Sequence, residues 1–200
     1  MSQFDESVEQ QLSSLREGLK LPPEQVEIAK LFPLFAPSSF FQSGNWPGPY
    51  MRLRASRISL TWSIHLPDQT MRYVDRDTAR YWDKKGIDWK QLALRNLAEH
   101  TDKNPATHEF RRTDGKLYGI AMMHPDGIGP SRLLLQDRIS AIFPEGYRIA
   151  LPEMSCAFGF SSEVNDLELD QIQKLIDDCF NKGTRALAQG IYTPADLHPE

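Results

Sequence analysis

The chain has 200 residues, of which 40% are hydrophobic and 25% charged, and it carries a net charge of −4 with a pI near 5.8. That length holds one substantial domain with its own core, and the composition is that of a globular fold rather than a disordered chain. Lys and Arg are dispersed within a net negative charge, so no whole-molecule field draws the chain to nucleic acid or to anionic lipid.

The opening residues MSQFDESVEQ lack the basic and apolar regions of a secretory signal, and no apolar run approaches the length of a membrane span. Two cysteines, Cys156 and Cys179, make no disulfide framework, and their separation fits no zinc pattern. The expectation is a cytoplasmic protein that needs neither cofactor nor metal.

Phe4, Val8, Leu12, Leu15 and Leu19 recur at helical spacing and predict an amphipathic N-terminal helix. Pro22 and Pro23 interrupt it, and Ile28, Leu31, Phe32 and Phe35 predict the inner face of a second, shorter helix. Residues 1–35 thus read as a helical segment packed on a single domain that spans 1–200. Residues 31–50 then concentrate Phe32, Phe35, Phe40, Phe41, Trp46 and Tyr50 among four prolines and two glycines. Such a segment either wraps the core with its rings inward or presents Phe41, Trp46 and Tyr50 to a partner or ligand.

Ile58, Leu60, Trp62, Ile64 and Leu66 alternate with Ser59, Thr61, Ser63 and His65, which predicts a half-buried strand with His65 facing solvent. PDQT and MRYVD supply the turn and return strand. Asp77 is positioned to cap a short helix through Trp82, stopped by Gly86. Asp88 and Gln91 match a capping box for a helix with Trp89, Leu92, Ala93 and Leu97 inside. A second hairpin follows, THEFRR and KLYGIAMMH around Asp114-Gly115.

HPDGIGPSRLLLQDRI, residues 124–139, turns from that strand into a helix. Asp126-Gly127 and Gly129-Pro130 supply turn geometry, and Ser131 is placed to cap the helix. GIGPSR matches neither the lysine-bearing phosphate loop nor GxGxxG. An anion could still be held there by the helix start and Arg132, with His124 as acid or base. Leu135, Ile139, Ile142 and Phe143 form the inner face of that helix. YRIALPE and MSCAFGF predict two more strands, and Leu169, Ile172, Leu175, Ile176 and Cys179 stripe a long last helix before a loosely packed tail, IYTPADLHPE. Cys156, among apolar neighbours with no cation nearby in sequence, reads as buried and inert, and Cys179 as a small core residue.

NLAEHT at 96–101, SRLLLQDRISAIFPEGYRIALPEMSCAFGF at 131–160 and the last helix resemble the bacterial domain-of-unknown-function family typified by YtpQ. The likeness covers about half the chain and rests on apolar pattern. It departs after Pro152, where Glu153-Met154 stands in place of the family's Arg-Asp. The resemblance implies an α+β domain and assigns no activity.

The hairpins and interspersed helices predict an α+β fold, a mainly antiparallel sheet with helices packed on one face. No residue cluster demands a reaction. The leading functional expectation is therefore a non-catalytic module that binds a protein partner or small ligand through the aromatic segment. The alternative is a metal-independent hydrolase or transferase holding an anionic substrate at residues 127–132. Self-association through the N-terminal helix is a third expectation. Candidate binding residues are Phe41, Trp46, Tyr50, His124, Ser131 and Arg132.

Overall fold

The computed structural model describes residues 22–42, 44, 46–66, 70–105, 108–124 and 126–200. The N-terminal helix expected over residues 4–19 and most of the PDQT turn lie outside these residues. The fold is α+β, with antiparallel sheets as the hairpin signals predict. The strands divide into two sheets.

The first sheet contains β1 (Leu31–Pro37), β2 (Tyr50–Arg52), β3 (Ile58–His65) and β4 (Met71–Tyr73). β1 lies along one edge of β3, while β2 and β4 share the other edge. The helix expected over residues 28–35 is instead a short 3-10 turn, Ile28–Lys30, leading into β1. Pro33 explains the difference: in a helix interior it would break the hydrogen-bond ladder, whereas an edge strand tolerates it.

β3 is also more enclosed than its alternation predicts. Ser59, Thr61 and Ser63 are fully buried. Their hydroxyls are satisfied locally: Ser59 shares a 2.9 Å hydrogen bond with Ser38, and Thr61 donates to the Pro49 carbonyl at 3.0 Å. Small polar side chains thus let residues 38–42, which hold the short helix α1 (Ser39–Gln42), and residues 46–50 close over the second face of the sheet.

The second sheet runs in the order β5 (His108–Arg111), β6 (Leu117–Met123), β8 (Cys156–Ser161), β7 (Tyr147–Glu153), β9 (Ile191–Tyr192). Ile120, Met122, Ile149, Leu151 and Ala157 face inward and join one core cluster with Leu31, Ile58, Trp62 and Trp89. The opposite residues, Ala121, Ala150, Cys156, Phe158 and Phe160, pack under α5 (Asp166–Lys182) through Ile172 and Ile176. α5 opens on a full capping box between Asn165 and Glu168.

In chain order between β4 and β5 come α2 (Arg76–Lys84) and α3 (Trp89–Lys103); α3 packs on β1, and Trp62, Trp82 and Trp89 meet ring against ring. The cap of α2 is Asp75, which accepts from the Thr78 amide at 2.6 Å, rather than Asp77. Asp88 caps α3 as expected, accepting from Gln91.

The tail is not loose. β9 pairs with β7, Leu197 is buried, and the amides of Arg54 and Ala55 donate to the carbonyls of His198 and Asp196. Residues 191–200 therefore strap the second sheet to the first.

Candidate functional site

Two places gather chemistry-bearing side chains. The first forms where β3, α3 and β6 end together. His65 closes β3, His100 sits in the last turn of α3, and His124 follows β6. The loop after β6 doubles back tightly because Gly127 adopts a positive φ of 71° and Gly129 presses against β6, where a Cβ would stand 2.8 Å from the Met122 carbonyl.

That path brings Asp126 to the centre. Its carboxylate accepts from Arg132 Nη2 at 2.7 Å, from His100 Nε2 at 3.0 Å and from the Ile128 amide at 3.0 Å. Burial by itself raises the Asp126 pKa, but the Arg132 guanidinium, the Ile128 amide and the His100 ring overcome it and hold the group at about 2. The Phe32 ring lies between His65 and His100, with centroids 4.7 and 5.5 Å away.

His65 and His124 are both kept below the ordinary histidine value, chiefly by burial. Asp126 opposes the shift at both, and for His124 the Arg132 charge adds to it. Nε2 of His65, Nε2 of His124 and Nε of Arg132 are buried without a hydrogen-bond partner among the described residues.

These positions correct four sequence expectations. His65 is packed against Phe32 rather than facing solvent. Ser131 caps no helix: it lies inside the 3-10 turn Pro130–Leu134, fully buried, and its hydroxyl donates to the Pro33 carbonyl at 2.7 Å, pinning the loop to β1. The following helix, α4 (Gln136–Ile142), begins without a side-chain cap and leaves Ile142 exposed. Arg132 is 3% exposed and both its terminal nitrogens serve Asp126, so it is no open clamp for an anion. His100 and Asp126 escaped the sequence reading. The signal for His100 was its place three residues after Leu97 on the buried stripe of α3.

The aromatic segment also turns inward. Phe41 and Trp46 are buried, meeting at 5.0 Å, and Tyr50 stacks on Phe41 at 4.4 Å while remaining 36% exposed. Trp46 further contacts Tyr73. These rings close the second face of the first sheet, while the edge of Tyr50 and the ring of Phe40, 48% exposed, are offered outward.

The second place is on the outer face of the second sheet. α5 leaves part of β5 and β6 uncovered, and a groove of about 850 Å³ opens there. Phe110, Ala121 and Phe158 form an apolar floor; His108, Asp178 and Lys182 supply polar groups at its margins. Met123 and Leu175 line it and are exposed by 53% and 38%. A bulge in β7 turns Glu153 to one end, where its carboxylate accepts from the Arg185 and Ser155 amides and from the Ser155 hydroxyl.

Cys156 of β8 and Cys179 of α5 both line this groove, with sulfurs 3.3 Å apart. Burial, reinforced by Cys179, pushes the Cys156 thiol far up. Cys156 is thus buried as its neighbours predict, but the sequence treats the two cysteines separately and the fold pairs them. Among the described residues no three His, Cys, Asp or Glu side chains are grouped to hold a metal ion.

Compared with protein-family models, with curated proteins and with solved structures, the chain matches none. Its function is therefore read from these two places alone. No helix among the described residues is long and apolar enough to cross a membrane.

Proposed function

We propose that the chain is a non-catalytic binding module that takes a small, mainly apolar ligand with one polar end. The observation that carries this reading is the groove beside α5. Its volume of about 850 Å³ lies within the roughly 300–1,000 Å³ of ligand sites, and its lining combines an apolar floor with a few polar groups. Met123 and Leu175 support it, because large apolar side chains gathered at a surface concavity mark a contact surface. The aromatic segment serves as structure, since Phe41 and Trp46 are packed on one another. The resemblance of the C-terminal half to the YtpQ-type family belongs to the same proposal and attaches no activity to it.

Displacement of a hydrophobic fluorophore tests the reading. The wild-type chain binds one equivalent of an anilinonaphthalene dye, and Met123→Lys and Leu175→Glu, at exposed positions that leave the fold intact, each abolish binding. Equal dye binding by both variants at unchanged melting temperature overturns it.

The second reading, a hydrolase or transferase at residues 124–132, draws on the His100–Asp126 pair and on the unpartnered Nε2 of His124. Against it stands the occupation of Arg132 by Asp126. A rise in melting temperature with phosphate that disappears in His124→Ala supports this second reading.

A further inference from the structure

We infer that Cys156 and Cys179 form a redox-active dithiol, which a small-molecule disulfide entering the groove oxidises to an intrachain disulfide tying β8 to α5. The pairing is a product of the fold: the two residues are 23 apart in sequence, one on a sheet strand and one on the helix that covers it. Their sulfurs stand 3.3 Å apart, so bonding at the usual S–S length of about 2.05 Å requires an approach of just over 1 Å. Access is provided as well, since both side chains line the groove, and Cys179 is only half-buried.

Exposure divides the roles. Cys179 is the first nucleophile, because it is the sulfur that an incoming reagent reaches. Its thiolate attacks one sulfur of the small disulfide RS–SR, breaking that bond, releasing RS⁻ and leaving a mixed disulfide on Cys179. Cys156 then gives up its proton and attacks Cys179 Sγ, expelling the second RS⁻. The protein loses two electrons and two protons, and RS–SR becomes two RSH. Burial holds Cys156 in the thiol form and keeps it from attacking first, and its part in the resolving step comes from the contact between the two sulfurs, 3.3 Å apart.

The test uses the full chain with glutathione disulfide as probe. Intact mass falls by two hydrogens, denaturing alkylation finds no free thiol, and a non-reducing digest links the peptide holding Cys156 to the one holding Cys179. Dithiothreitol reverses all three. Cys156→Ser stops at a glutathione adduct on Cys179, and Cys179→Ser remains unmodified. Two alkylatable thiols after treatment that oxidises an exposed control dithiol, or a cross-link found only between copies, overturns the inference. Should either variant fail to fold, the wild-type mass and digest decide by themselves. Leu175→Glu separates this inference from ligand binding: the cross-link forms whether or not the groove still takes the dye.

Discussion

Replacing Asp126 by Asn probes the carboxylate at the centre of the first site. Asp126 accepts from Arg132, His100 and Ile128, and its side chain is 18% exposed. Its pKa falls from 3.8 to about 2. That difference, at about 1.4 kcal/mol per pH unit, makes its ionisation worth about 2 kcal/mol to the native state. The sign follows from a depressed carboxylate: the contribution is complete above about pH 4 and is lost as pH falls toward 2. Asparagine removes it and leaves the Arg132 guanidinium, 3% exposed, with no counter-charge. Breaking a buried pair from one side costs about 3–5 kcal/mol, so Asp126→Asn is expected to lose that much at pH 7.

Urea unfolding at a series of pH values reads both effects. Wild type weakens along two limbs as pH falls. Below about 6.5 the buried, neutral His65 and His124 oppose native-state protonation, so the unfolded chain takes up protons first. Below about 4 the Asp126 contribution goes. The variant deepens the first limb, because Asp126 no longer opposes the lowering of His65 and His124, and loses the Asp126 share of the second, leaving the part that comes from the depressed carboxyls of Glu145 and Glu168. Adding Arg132→Met to Asp126→Asn removes the orphaned charge and recovers part of the loss. A loss under about 1 kcal/mol at pH 7, or an unchanged acid limb, refutes the assignment of Asp126 as the organising charge.

Three further substitutions test the packing around the sites. Ser131→Ala strands the buried Pro33 carbonyl that its hydroxyl satisfies, with an expected cost of about 1–3 kcal/mol in urea unfolding. Trp46→Ala opens a cavity beside Phe41 and Tyr73 and is expected to cost about 3–5 kcal/mol, whereas Tyr50→Ala, at a 36% exposed ring, costs markedly less. Equal losses for Trp46 and Tyr50 in thermal denaturation would mean that the segment does not close over the first sheet.

Local rules carried much of the fold. Period-two alternation located β3, Asp114-Gly115 located the β5–β6 turn, where Gly115 adopts φ 85°, and the Asp88 cap located the start of α3. These signals act within a few residues, so a linear reading sees them. The same reading misjudged Leu31–Pro37, because an unbroken apolar run is compatible with a buried helix or a buried strand, and the signal of Pro33 against a helix went unweighed until pairing with β3 fixed the strand. It also left the tail loose, since the carbonyls of Asp196 and His198 find their donors at Ala55 and Arg54, far back along the chain.

The candidate sites divide in the same way. Sequence alone established an α+β chain of hairpins and capped helices, gave Cys156 apolar surroundings, and supplied glycines where the loop after β6 must turn and press against a strand. Tertiary structure alone brought His65, His100 and His124 around Asp126, turned Arg132 inward, and set Cys179 against Cys156. Backbone geometry and burial period are properties of neighbours in the chain, whereas a charge or a thiol acquires its chemistry from whatever the folded chain places within a few ångströms of it.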